Sequence, residues 1–185
     1  MNISVSNFKH NANLANKPIG FIKPSLSKRI ALGVCFTAAA YFSFDSFTSR
    51  YTFMIDYTGY RCLDARFFIV DKQDKTFSPG DIIAIDGAGV PILPDENKYI
   101  KMVAGVAGQT VTFKNHQVSN GEDFKRYAPV SDEYLQLKKK HNLKTEWQLG
   151  PKEIFLIGDT IHSLDARVVG PSNSDYVIGK AYVLF

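Results

Sequence analysis

The architecture this sequence predicts is a mainly β domain, a partly open barrel or sheet, behind one N-terminal membrane helix. Three observations predict it. Residues 30–44 form fifteen consecutive positions without a charge. Beyond residue 49 the chain breaks into short apolar runs separated by Gly, Pro, Asp and Ser turns, which is the pattern of strands. Within that stretch only Ser131 to Lys140 reads as a helix, short and N-capped by the serine. At 185 residues and 45% hydrophobic content, the chain suffices for one modest domain plus an appendage.

The leader, residues 1–29, carries Lys9, Lys17, Lys23, Lys28 and Arg29 and no acidic residue. The uncharged run that follows spans only about 23 Å as a helix, short of the ~30 Å hydrocarbon core. Extending it to 30–48 places Asp45 at the outer interface. An uncleaved anchor and a signal peptide cut after Ala38-Ala-Ala40 are both open, and the long polar leader favours the anchor. The basic flank directs everything after it outward. Residues 49–185 are then an extracytoplasmic domain.

Within that domain Tyr51–Tyr57, Arg66–Val70, Asp81–Ile85, Tyr99–Val103 and Val106–Phe113 read as strands, the last with a turn at Ala107-Gly108. Turns at Thr58-Gly59 and Ser78-Pro-Gly80 separate them. Residues 114–150 change character, being polar and rich in Tyr and Lys, and read as a small inserted cap. Lys138-Lys-Lys-His141 within it reads as a solvated helix end. Phe155–Ile157 and Val177–Phe185 supply the closing strands.

Composition also excludes some functions. The net charge of +4 comes largely from the leader, so the domain has no basic footprint for nucleic acid. Cys35 lies in the apolar span and Cys62 beyond it, so membrane depth separates them. Cys62 is then a lone thiol in an oxidising space.

Three features carry chemistry. Ser163, Asp165 and Arg167 alternate, which on an extended segment puts them on one side. Burying a hydroxyl, a carboxylate and a guanidinium together is costly unless they satisfy one another. Lys101 stands inside the apolar run Tyr99-Ile-Lys-Met-Val103, where loss of solvation disfavours a lysine's charged form and suits it to act as a general base. Cys62 follows the membrane-proximal strand. Lysine-activated nucleophiles are an alternative to the histidine triad.

In order and content these segments resemble the boxes of the membrane-bound signal peptidase I family. That family has an anchor, a nucleophile box, a strand reaching Gly-Asp (here Gly80-Asp81), a lysine box "IKR-(V)-x-G-x-x-G-D" and a closing "GDN…S-x-DSR-x-x-G…G-x-A". The matching stretches are residues 30–113 and 151–185, and the lysine and C-terminal boxes are the specific parts. By this resemblance Cys62 takes the place of the serine nucleophile and Lys101 that of the general base. Ser163 takes the place of the serine bonded to the lysine amine, Asp165 and Arg167 that of an ion pair propping the site, and Gly158 and Asp159 that of the strand end before it. The Cys62 backbone N–H is the implied oxyanion donor, and Tyr60 stands where the family has a second, hydroxyl donor. The short insertion and Cys62-Leu-Asp-Ala-Arg-Phe-Phe-Ile-Val are similar to the conjugative-transfer branch, the TraF-type pilin peptidases.

The chain departs from the pattern at Cys62 for Ser, Asp64 for Pro, Tyr60 for the second oxyanion donor, Gln109 for Asp and Ala166 for Ser. A thiol, ordinarily near pKa 8.5, can pass its proton to a lysine, ordinarily near 10.4, before attack. The resemblance therefore implies an anchored endopeptidase of the bacterial inner membrane, its N-terminus cytoplasmic and its catalytic domain periplasmic. It would act on a prepilin or another exported protein beside conjugation machinery, by hydrolysis or cyclisation, without cofactor. A general leader peptidase and a catalytically silent assembly subunit are the rival readings. His10 lies on the cytoplasmic side, His116 and His141 of the insertion read as exposed loop residues, and His162 has no Cys or His at ligand spacing, so no metal is inferred.

Overall fold

The computed structural model describes residues 25–56, 61–92, 94–140 and 144–185. Helix α1 runs Leu26–Arg50, four residues earlier and two later than the expected 30–48. Its 25 residues are long and apolar enough to cross a membrane, and none of them is buried by protein.

Phe44–Phe185 form one compact unit. Its strands are β1 (Tyr51–Ile55), β2 (Phe67–Asp71), β3 (Ile82–Asp86), β4 (Lys98–Gly105), β5 (Thr110–Lys114), β6 (Gln117–Ser119), β7 (Lys125–Tyr127), β8 (Glu146–Gln148), β9 (Glu153–Ile157), β10 (Ser172–Asn173) and β11 (Val177–Val183). Helix α2 is Asp132–Lys140 and the short α3 is Ala166–Val169. A seven-stranded sheet runs β1-β2-β11-β3-β4-β9-β10, and a four-stranded sheet β7-β6-β5-β8. All the pairs are antiparallel. No pairing joins the edges β1 and β10 among the described residues, so the long sheet is open.

Strand β4 is buried on both faces from Ile100 to Gly105. Ile100, Met102 and Ala104 enter the larger cluster with Phe68, Phe155 and Trp147, while Val103 enters a smaller one with Ile83, Ile85, Ile154 and Leu156. This two-sided burial is what desolvates Lys101.

The insertion is more than a cap. Residues 117–148 supply three of the four strands of the second sheet, β6, β7 and β8, and their Val118, Phe124 and Trp147 join the larger core. Helix α2 begins where expected, the Ser131 hydroxyl accepting from the Tyr134 N–H at 3.4 Å.

One expectation fails at its C-terminal end. Lys138, read as part of a solvated run, is 8% exposed. Its Nζ donates to the Arg167 carbonyl at 3.0 Å and lies 4.8 Å from the centroids of both Phe113 and Trp147. The helical period explains it: 138 is one turn from 134 and shares its inward face, whereas the apolar Leu137 is turned outward and is 39% exposed.

Candidate active site

Cys62 lies in the loop between β1 and β2, Lys101 in β4, and residues 158–165 in the turn that links β9 to α3. These positions are far apart in sequence, and the Lys101 amine brings them together. Its Nζ donates to Cys62 Sγ at 2.9 Å, to Ser163 Oγ at 2.8 Å and to the Leu164 carbonyl at 3.0 Å. Three acceptors match the three donors of an ammonium. Lys101 and Ser163 are each 1% exposed, while Cys62 is partly open to solvent. A buried amine against a reachable thiol is a geometry that can move a proton between the two at the protein surface.

Beneath this trio lies the ion pair of Asp165 and Arg167, both without side-chain exposure. Asp165 accepts from Arg167 Nε at 2.8 Å and Nη2 at 2.5 Å. It also accepts from the Gly158 N–H at 2.8 Å and the Arg167 N–H at 3.1 Å. Burial pushes the Asp165 carboxyl up, but the Arg167 charge and hydrogen bonds, with Lys101 and Ser163 adding to them, outweigh it and hold it below the ordinary value.

The pair forms by a different route from the one expected. Residues 163–167 are not an extended segment, so alternation does not align them. Asp165 is the N-cap of α3, its carboxylate accepting from the N–H two residues on, and the Arg167 side chain folds back onto it.

Gly158 is where backbones come closest. A Cβ there would overlap both the Cys62 carbonyl oxygen and the Ser163 hydroxyl. The Asp159 N–H donates to the Cys62 carbonyl at 2.8 Å, and the Thr160 hydroxyl donates to the Arg61 carbonyl. The 158–160 turn thus grips the cysteine loop by its main chain.

The implied oxyanion donor, the Cys62 N–H, is already engaged. In the resting structure the Cys62 N–H donates to Asp56 Oδ2 at 3.2 Å. Asp56 follows β1 and bonds the Arg66 carbonyl through its own N–H at 2.9 Å, which hangs its carboxylate over the cysteine loop. Tyr60, His10 and His141 lie outside the described residues. Gln109 at the end of the lysine box accepts from the Val106 N–H at 3.0 Å and ties the turn before β5.

Sequence reasoning missed Asp56, the Leu164 carbonyl, Tyr134 and Lys138. The Tyr134 hydroxyl donates to the His162 carbonyl at 3.2 Å, and burial raises its pKa, with nearby negative charge adding. Helical spacing was the signal that joined Tyr134 to Lys138.

Residues 29–185 match the family model for signal peptidase, peptidase S26. The chain belongs to this signal peptidase family. Membership makes it a peptidase of the leader-peptidase type, a hydrolase of exported proteins. A signal peptidase I from Enterococcus faecalis V583, solved by crystallography, is 21% identical over 60% of this chain and 99% of its own, with a TM-score of 0.36. No curated protein matches the sequence. Within this S26 peptidase, the lysine box and the C-terminal box are the two segments that meet at Lys101 Nζ and Ser163 Oγ.

Proposed function

We propose that this S26 peptidase is an inner-membrane-anchored endopeptidase that processes a secreted prepilin for conjugative transfer or type IV secretion, with Cys62 as nucleophile and Lys101 as its proton partner. The observation that supports it most is the 2.9 Å contact between Lys101 Nζ and Cys62 Sγ. Residues 1–29 would lie in the cytoplasm, 30–48 in the membrane and 49–185 in the periplasm, the orientation that the basic leader favours.

The chemistry follows from the three acceptors around Lys101. The thiol proton passes to the lysine, and the resulting ammonium is held by Sγ, the Ser163 hydroxyl and the Leu164 carbonyl. The thiolate attacks the scissile carbonyl carbon and forms a tetrahedral adduct whose oxyanion takes the Cys62 N–H, displacing Asp56. Lys101 then returns its proton to the leaving amine as the C–N bond breaks, leaving a thioester on Cys62. Water hydrolyses that thioester to release the acid, or an amine of the same pilin takes the acyl group and closes a ring. Asp165 and Arg167 orient the Ser163 turn from below and touch no substrate.

The test uses the full chain in membranes with a prepilin substrate. A membrane-impermeant thiol reagent added from the outer side should stop maturation and label Cys62, while Cys35 in the span stays unlabelled. Cys62→Ala should be inactive, and Cys62→Ser should retain some activity. Normal processing by Cys62→Ala would sink the mechanism and favour a silent assembly subunit.

A further inference from the structure

We infer that Arg126, a residue of the insertion, is a positioning residue for Cys62 that acts through Asp159; the inference rests on Cys62 being the nucleophile. Arg126 sits in the middle of the edge strand β7, whose three residues are all exposed. Its guanidinium nevertheless turns toward the site. Nη2 lies 2.7 Å from Asp159 Oδ1, and Nη1 donates to Met102 Sδ at 3.3 Å. Met102 follows Lys101 directly, at the position the family's lysine box fills with arginine. In this chain a guanidinium therefore reaches that place from another strand, one that belongs to the second sheet.

Asp159 matters because of what its backbone does. Its N–H donates to the Cys62 carbonyl at 2.8 Å, and the Thr160 N–H approaches the same oxygen at 3.5 Å. The Cys62 main chain thus hangs on a turn that has no sheet partner. That turn is held at Gly158, whose N–H donates to Asp165, and at Thr160, whose carbonyl accepts from Arg167 Nη2. The Arg126–Asp159 pair is its tie to the insertion through the aspartate side chain. Releasing it lets the turn, the Cys62 carbonyl and with them the thiol drift from Lys101 Nζ. Arg126 and Asp159 side chains are 42% and 20% exposed, so as a stabilising ion pair they contribute little. Their value lies in geometry, where displacement of a reacting group by about 1 Å costs up to about a hundredfold in rate.

The experiment uses the purified full chain in detergent and a fluorogenic peptide with alanine just before the scissile bond. Arg126→Ala, Arg126→Lys, Asp159→Ala and the double variant R126A/D159A are compared for kcat, KM, thermal midpoint and the rate of iodoacetamide alkylation at Cys62, followed by mass spectrometry. Arg126→Ala should lower kcat about ten- to a hundredfold, leave KM and the thermal midpoint nearly unchanged, and alter the alkylation rate of Cys62. Arg126→Lys should recover part of the loss. R126A/D159A should be no worse than the poorer single variant, since both break one tie. Unchanged kcat and alkylation in Arg126→Ala would overturn the inference, as would additive losses in the double variant or a fall in kcat that only tracks unfolding. Cleavage of the peptide by Cys62→Ala would instead overturn the nucleophile reading, and the alkylation rate would still report whether Arg126 holds Cys62.

Discussion

Replacing Arg167 by alanine tests the foundation of the site. The guanidinium makes two hydrogen bonds to Asp165, one to the Pro129 carbonyl at 2.9 Å and a longer one to the Thr160 carbonyl at 3.5 Å. Its loss leaves Asp165 as a buried carboxylate with the N–H groups of Gly158 and residue 167, the Ser163 hydroxyl and the Lys101 charge, and leaves the Pro129 carbonyl without this donor. Breaking a buried pair from one side costs about 3–5 kcal/mol. At roughly 2–4 °C per kcal/mol for a unit of this size, the thermal midpoint should fall by about 6–20 °C. The pH dependence gives a second reading. In the native protein Asp165 is held below its ordinary value, so its stabilisation is complete above the unfolded value near 3.9 and is lost as pH falls through the folded one. In Arg167→Ala the largest influence lowering Asp165 is gone, and burial, which favours the protonated form, is opposed only by Lys101, Ser163 and the two N–H groups. The midpoint difference between the two proteins should therefore narrow as pH drops below about 4. Differential scanning calorimetry from pH 3 to 8 would measure it. A constant small difference across that range would mean that the pair is not buried in solution, and the reasoning would fail.

Three further substitutions probe the surroundings. Gly158→Ala forces the Cys62 carbonyl and the Ser163 hydroxyl apart, and peptide cleavage by the purified protein should become undetectable; retained activity would show that the turn can yield. Lys138 has its pKa lowered by desolvation to about 8, so its charge opposes folding below that value and the penalty is relieved as pH rises from about 8 toward 10.5. Thermal midpoints of the wild type relative to Lys138→Met should accordingly rise over that interval, and a flat difference would refute the burial of its charge. Asp56→Ala frees the Cys62 N–H for an incoming carbonyl and should raise kcat/KM for a peptide substrate, whereas loss of activity would make the carboxylate part of the machinery.

Lys101 was legible because the signal and its cause are local. A lysine inside Tyr99-Ile-Lys-Met-Val103 must either reach solvent or be desolvated, and the two-sided burial of β4 settles the choice. The Asp165–Arg167 pair was legible as a pair but not as a geometry. A spacing of two residues is what a strand face requires, and it is equally what an N-cap carboxylate requires to reach the N–H two positions on. The sequence pattern is the same in both cases, and α3, only four residues long, leaves no periodicity by which to tell them apart. Lys138 failed for the opposite reason. Its composition, three lysines in a row, pointed to solvent, while its helical phase with Tyr134 pointed inward. Phase prevailed because the Arg167 carbonyl and the faces of Phe113 and Trp147 offer the ammonium a partner inside.

Asp56 and Arg126 had no such local signal, and the reason bears on how the site is built. Each acts on Cys62 across strands that only the fold brings near: Asp56 by following β1 over the cysteine loop, Arg126 by crossing from β7 to the turn after β9. A box that departs from the family's at Tyr60, Cys62 and Asp64 can thus still hold its thiol in a fixed place. The donors that hold Cys62 are main-chain groups of residues 159 and 160, which any side chain would supply. The side chains that hold those groups, in turn, are free to come from the insertion. The departures at Asp64, Gln109 and Ala166 leave that main-chain grip intact, because none of the three belongs to it.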